Sequence, residues 1–394
     1  MPHTLIGPNP DLKQLWDEGL EIEIRKGILL VHHIPYVNAA KAIKFGTLVS
    51  ELALDKDRTV QPPPHPAHWI GEYPCHKDGS AIAQLRHPNS QRKDLGDGTV
   101  VDHMFSNRPE RGYTDYHHKI TTYIQIISSP AQSIDKTVTA YTFQVIPNND
   151  GESVFRYVDT NSSGSEINAI SSKLRGQTVA IIGLGGTGSY VLDLVSKTEV
   201  KEIRLFDKDT FIQRNAFRAP GAAAIEALGE RVKKTDYFKA IYSQMHKNVV
   251  SDPVNIDSSN LEKLSGVDFA FVCIDDGPAK KTIVERLLTQ GTPFIDVGMG
   301  VSIVDGANTL IGIIRTTTST PDKHDHIEKR ISFAADANDV YARNIQIAEL
   351  NALNAAFAVI KWKKLYGFYQ DLTKEHDTTY TINTGEIENE DIDA

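Results

Sequence analysis

From about residue 170 onward, apolar and polar positions alternate between strand-like and helix-like patterns. Thr178 to Ile182 (TVAII) is a short, wholly apolar run with β-branched residues, the pattern of a strand buried on both faces. Gly183 to Gly188 interrupts it, and Ser189 to Thr198 then carries Val191, Leu192, Leu194 and Val195 at helical spacing. Ile203 to Phe206, Val267 to Ile274 and Phe294 to Val297 predict further strands, with Lys280 to Gln290 as a helix between the last two. Strands alternating with helices give a parallel sheet with right-handed crossovers. Val301 to Ile303 and Thr309 to Ile314, joined around Asp305-Gly306, predict an antiparallel addition. A helix from about Asn344 to Leu365 closes this part, with Ile345, Ala348, Ala352 and Ala356 on one face and Leu350, Leu353, Phe357 and Ile360 widening the apolar surface.

The pattern differs before Asp159 to Ser165, where DTNSSGS reads as a linker. Ten of the fourteen histidines lie on its N-terminal side, among prolines and short β-favouring runs such as Tyr123 to Ile127 (YIQII) and Thr139 to Val145 (TAYTFQV). This predicts a separate α+β domain over residues 1–158, followed by a nucleotide-binding α/β domain over 166–370 and an acidic tail over 371–394. The tail carries eight acids against Lys374, and its composition predicts a solvated, partly disordered end.

Charge and composition narrow the functional classes. A net charge of −9 with an acidic tail argues against nucleic-acid binding, where phosphate neutralisation dominates affinity. No run reaches the roughly 18 apolar residues of a membrane span, and the first residues lack a secretory pattern, so the expected location is the cytoplasm. Cys75 and Cys273 are the only cysteines, which excludes a disulfide framework and a four-thiolate zinc site.

The chemistry concentrates after the linker. Gly183, Gly185, Gly186 and Gly188 follow a strand and open a helix, where backbone N–H groups point at a phosphate. Asp207, ending the second strand, is placed to hold ribose hydroxyls. Such a loop and acid suit a nicotinamide-dependent oxidoreductase equally well. Asn215, Arg218, Lys233 and Lys234 discriminate, because expelling pyrophosphate needs cations where negative charge accumulates, and hydride transfer does not. Asp275, at the C-terminal end of an apolar strand, suits magnesium, which takes one or two protein carboxylates plus phosphate oxygens.

The run AIIGLGGTGSYVLDLVSKTEVKEIRLFDKDTFIQRNAF, with its glycine loop followed by D-x-D and N-x-x-R, resembles the adenylation domain of ThiF, MoeB and the ubiquitin-activating enzymes. The resemblance covers roughly half of the chain and extends to bacterial ThiF-type proteins with an uncharacterised N-terminal domain. It implies a Rossmann-like fold and ATP-dependent adenylation of the C-terminal carboxylate of a small β-grasp, ubiquitin-like protein ending in glycine, as the first step of conjugation or sulfur transfer. By position, Asp207 would bind ribose, Asn215 and Arg218 the triphosphate, Lys234 (with Lys233 as the alternative register) the phosphates, and Asp275 the magnesium ion. It also implies a homodimer and an associated conjugating enzyme. The alternatives are an adenylyltransferase for a peptide or a small or tRNA-linked carboxylate, and a nucleotide-binding scaffold without turnover.

Three features depart from the family pattern. Ala219 replaces the usual glutamine after the arginine, the C-x-x-C pairs that bind zinc in many members are absent, and Arg156 is the nearest candidate for the arginine that often precedes the first strand. No zinc is therefore expected. Cys273, inside a strand, reads as core filler. Cys75, in EYPCHKDG with His76 adjacent and His65 and His68 upstream, is the one candidate thioester nucleophile, although an incidental role is the preferred reading. The N-terminal domain is expected to recruit a protein partner.

Overall fold

The computed structural model describes all residues except 1–4, 63–65, 97, 146, 148–150, 152, 165–166, 335–344 and 391–394. The chain forms two compact units, Met1–Ile146 with Asp159–Asn168, and Pro147–Val158 with Ala169–Ala394. His65 and the start of the expected closing helix, Asn344, lie outside the described residues.

In the first unit, helix α1 (Pro10–Asp17) precedes an antiparallel sheet of order β1-β2-β3-β4-β5, formed by Ile22–Arg25, Ile28–Val37, Ile43–Glu51, Pro66–Ile70 and His103–Ser106. Helix α2 (Tyr116–Ile134) packs on it, and the Asp115 carboxylate caps its first turn by accepting from His118 N. Tyr123 to Ile127, expected as a strand, is the middle of this helix. The aromatic and β-branched content was the misleading signal. Tyr116, Ile120, Tyr123, Ile124 and Ile127 are all buried, at the spacing of one helical face. Nor does Thr139 to Val145 form a strand; only Tyr141 makes an isolated bridge, to Leu20.

The second unit is a single eight-stranded sheet. Its strands are β6 (Thr178–Ile182), β7 (Glu202–Phe206), β8 (Val249–Asp252), β9 (Phe269–Val272), β10 (Phe294–Val304), β11 (Thr309–Ser319), β12 (Asp377–Thr381) and β13 (Glu386–Glu390), in the order 8-7-6-9-10-11-12-13. Strands β8 to β10 across the sheet are parallel, and β10 to β13 are antiparallel. This is the expected mostly parallel α/β sheet with its antiparallel addition. Every residue of β6 and β9 is buried, as a strand covered on both faces requires. The chain winds outward from β6 through β7 to β8, then returns to β9 on the other side. The switch point between β6 and β9 is where such sheets leave a crevice at the carboxyl ends of their strands. Helix α3 (Gly186–Val195) and helix α7 (Ala348–Leu365) pack against each other, and Ala355, Ala358, Val359 and Trp362 of α7 share the buried core with Val191, Leu192 and Val195 of α3.

The acidic end is ordered as part of this sheet through Glu390, against the expectation of a disordered tail. Its acids have specific places: Asp371 and Glu375 pair with Lys361 and Lys364 of α7, and Asp377 accepts from Thr317 Oγ1 at 2.5 Å. The glutamates of β13 are solvent-exposed, so strand pairing requires no burial of unpaired charge there. No helix among the described residues is long and apolar enough to cross a membrane.

Candidate functional site

The glycine loop leaves β6 at Gly183, whose N–H donates to Phe206 O at 2.8 Å and whose φ of +92° disfavours any side chain. A Cβ there would also meet Cys273 O at 2.6 Å. At Gly186 a Cβ would lie 2.1 Å from Asn351 Nδ2, so these two positions admit only glycine. The first turn of α3 therefore begins only three residues beyond β6, with no side chain capping its N–H groups, which can face an anion.

Asp207 follows β7 directly and closes this loop from one side. Its Oδ2 accepts from Leu184 N at 2.8 Å and its Oδ1 from Asp209 N at 2.8 Å. Lys234, the first residue of helix α5 (Lys234–Tyr242), reaches the same place: its Nζ lies 3.2 Å from Asp207 Oδ2 and 2.8 Å from Asp209 Oδ2. The Lys234 ammonium holds the Asp209 carboxyl below its usual range, despite partial burial. Lys233 turns elsewhere, donating to Lys208 O at 2.6 Å, so Lys234 is the lysine of the cluster. The segment between Asp209 and Lys234 is pinned by Phe211, which stacks on Tyr237 at a centroid distance of 3.8 Å and donates through its N–H to Val232 O.

The short helix α4 (Gln213–Ala216) then sets Arg218. Buried Asn215 accepts from Ile212 N at 2.9 Å through Oδ1, and its own carbonyl accepts from Arg218 N at 3.1 Å. Asn215 thus shapes the turn that carries the arginine. Burial and the adjacent Arg214 guanidinium lower the Arg218 pKa, while Asp275 and Asp209 oppose them. Arg218 Nε is buried and has no hydrogen-bond partner among the described residues, as expected of a donor that serves a ligand.

Asp275 is exposed just beyond β9, at the same carboxyl edge. Asp276 caps helix α6 (Gly277–Gln290) by accepting from Ala279 N. Behind it, fully buried Asp296 of β10 pairs with Lys280 at 2.9 Å and Arg315 at 2.5 Å, tying α6 to the antiparallel half of the sheet. Among the described residues no three His, Cys, Asp or Glu side chains gather as a metal cluster. A single exposed carboxylate beside an arginine fits an ion held mainly by phosphate oxygens, which is how magnesium binds, and does not make an all-protein cage.

Residues 164–347 match the ThiF family model, and residues 10–160 match a domain of unknown function designated DUF6791. Residues 164–347 are a ThiF-family domain. Its curated relatives include a tRNA threonylcarbamoyladenosine dehydratase of Haemophilus influenzae, 22% identical over 157 residues, covering 38% of this chain and 58% of that protein. Another is ubiquitin-like modifier-activating enzyme 5 of Drosophila mojavensis, 23% identical over 145 residues, covering 34% of this chain and 36% of the relative. The chain thus spans less than two thirds of either relative. Among solved structures, Escherichia coli MccB with MccA-N7isoASN aligns with a TM-score of 0.46 and 19% identity, over 56% of this chain and 66% of the other. MccB with ATP aligns with a TM-score of 0.44 and 20% identity, over 58% and 67%.

Within the ThiF domain, Gly183, Gly185, Gly186, Gly188, Asp207, Asn215, Arg218, Lys234 and Asp275 all fall just beyond the carboxyl ends of β6, β7 and β9 or on the segment that connects β7 to β8. Arg156 does not. Its N–H donates to Met245 O and its guanidinium to Ser243 O, on the segment leading into β8, at the opposite edge of the parallel strands. Cys273 lies behind the loop, and burial pushes its thiol pKa up. Cys75 belongs to the other unit. It is 3% exposed, bridges Val37 and Ala81, and donates to Tyr73 O at 3.3 Å. Burial, reinforced by Asp78 and Glu72, raises its pKa and disfavours the thiolate that a nucleophile needs. Two site residues escaped the sequence reading. Asp209 stands as the second acid of D-x-D and offered a signal; Asn351, arriving from α7, offered none.

Proposed function

We propose that the chain activates the C-terminal carboxylate of a small β-grasp, ubiquitin-like protein ending in glycine, by transferring AMP to it from ATP. The observation that carries this reading is Arg218, whose Nε is buried and unpartnered among the described residues, and which interacts electrostatically with Asp275 and with Asp209, the carboxylate that Lys234 pairs. Cations aimed at this edge serve reacting phosphates, whereas a dinucleotide oxidoreductase has no use for them. A carboxylate oxygen of the partner attacks the α-phosphorus as the bond to the bridging oxygen breaks, giving the acyl-adenylate and pyrophosphate. Arg218 and Lys234 offset the charge that accumulates on the leaving oxygens, the first turn of α3 holds the phosphates, and Asp207 holds the ribose. Asp275 would hold magnesium, which supplies charge neutralisation for the triphosphate when bound.

The first unit is assigned to recruiting the carrier protein or a conjugating enzyme, and the shielded thiols favour transfer of the adenylate to a partner's cysteine. A two-fold homodimer of the ThiF domain is part of the same reading. A second reading, adenylation of a small or tRNA-linked carboxylate, is favoured by the name of the Haemophilus influenzae relative. Exchange of labelled pyrophosphate into ATP separates the two. It should depend on a glycine-terminated carrier protein; exchange driven by a tRNA-linked carboxylate instead would establish the second reading.

A further inference from the structure

Helix α7 carries two asparagines one turn apart, Asn351 and Asn354, each 1% exposed. Asn354 is satisfied at both ends: its Oδ1 accepts from Thr316 Oγ1 at 3.3 Å and its Nδ2 donates to Gly298 O at 2.9 Å. It is a structural clasp between α7 and the β10–β11 pair. Asn351 differs. Its Oδ1 accepts from Thr187 Oγ1 at 2.9 Å, in the first turn of α3, yet its Nδ2 is buried with no hydrogen-bond partner among the described residues. That nitrogen occupies the space where a side chain at Gly186 would project, beside the helix N-terminus that opens the site. A buried amide donor without an acceptor is destabilising, and here it is retained beside a helix N-terminus, where an anion would bind.

We infer that Asn351 is a positioning residue of the nucleotide site, fixing Thr187 through its oxygen and adding its N–H edge to the positive first turn of α3, where the phosphates of ATP bind. This deepens the adenylation reading and rests on it for the identity of the anion. The side chain acts at short range on the same turn whose N–H groups face the ligand, so it should affect affinity for the triphosphate more than global stability.

The test is calorimetric titration of the full chain with a non-hydrolysable ATP analogue and magnesium, alongside thermal melting. Asn351→Ala should weaken binding at least threefold. Asn351→Asp, which keeps the shape and the acceptor for Thr187 but replaces the donor with an anionic oxygen, should weaken it at least tenfold. Asn354→Ala should lower the melting temperature and leave affinity within twofold of wild type. Wild-type affinity in Asn351→Ala would overturn the inference whatever the aspartate does, because an inserted anion repels phosphate from many positions. Should the aspartate variant fail to fold, the alanine variant decides. Weakened binding in Asn351→Ala, with no carrier-dependent pyrophosphate exchange by the wild type, would refute the proposed function and leave this inference standing.

Discussion

The ammonium of Lys234 lies 3.2 Å from Asp207 Oδ2, with both side chains buried, so the residues proposed to hold the ribose and the phosphates form one ion pair. Asp209 is the second partner of the lysine, and backbone N–H groups complete the coordination of Asp207. Removing one member leaves a buried charge uncompensated, which costs about 3–5 kcal/mol where nothing else pairs it. Asp207 keeps its two N–H donors, so Lys234→Met should lower stability by about 1–3 kcal/mol, toward the scale of a lost buried hydrogen bond. Activity should fall at least 100-fold while ATP still binds. Denaturant unfolding and single-turnover kinetics check the two parts, and full activity in the variant would remove Lys234 from the reacting site.

Asp275 poses the reverse case, a charged residue exposed to solvent. Its exposure at the strand end makes Asp275→Ala nearly neutral for folding. Loss of pyrophosphate exchange is expected, with unchanged circular dichroism and melting temperature. Retained exchange with an unaltered magnesium requirement would show that the ion is held elsewhere.

Burial raises the pKa of both Cys75 and Cys273, which disfavours the thiolate that covalent transfer requires. The double variant Cys75→Ser, Cys273→Ser should still pass the activated carrier to a partner's cysteine at a rate within about threefold, given that Cys is replaced by a similar small side chain. Loss of transfer with intact exchange would point to a thioester on this chain, and Cys75→Ser alone would then locate it.

Lys119 of α2 is fully buried, donating to Ser50 Oγ at 3.0 Å and Pro66 O at 2.9 Å, and burial lowers its pKa to about 8. An unfolded lysine titrates near 10.4, so between the two values the unfolded chain binds more protons than the folded one. This group's contribution to stability therefore increases as pH rises from about 8 toward that value, and is flat below about 8. Difference unfolding curves of wild type and Lys119→Met should show that rise in the wild type alone. Parallel pH profiles would indicate that the amine titrates normally in the fold.

Much of the parallel half was legible because its signals are local: an apolar run, a glycine turn and a helical stripe each specify an element without reference to the rest of the chain. The D-x-D and N-x-x-R spacing placed Asp207, Asn215 and Arg218 for the same reason. What required tertiary context was not legible. YIQII carries strand-like residues, yet Lys119 and the buried faces of Tyr116 and Tyr123 make it a helix against β2. The acidic end gains order because β12 and β13 extend the sheet and because Lys361 and Lys364 meet Asp371 and Glu375, pairings with distant segments that its composition does not signal. Lys233 and Lys234 differ only in which side of a turn they occupy. Asn351 lies more than 160 residues from Thr187, and nothing in either segment announces the hydrogen bond between them.

The homodimer follows from the family resemblance and is checked by mass. Light scattering at micromolar concentration should give about twice the 43.6 kDa of one chain. A value near one chain would contradict it and would leave each site to be completed within a single copy.

The most direct test of adenylation uses ATP labelled separately at the α- and γ-phosphorus, incubated with magnesium, the full chain and a glycine-terminated β-grasp carrier protein. The α label should appear on the carrier in a hydroxylamine-sensitive linkage, and the γ label should leave in pyrophosphate. Appearance of the γ label on the carrier, or its release as orthophosphate with no α label transferred, would contradict the account.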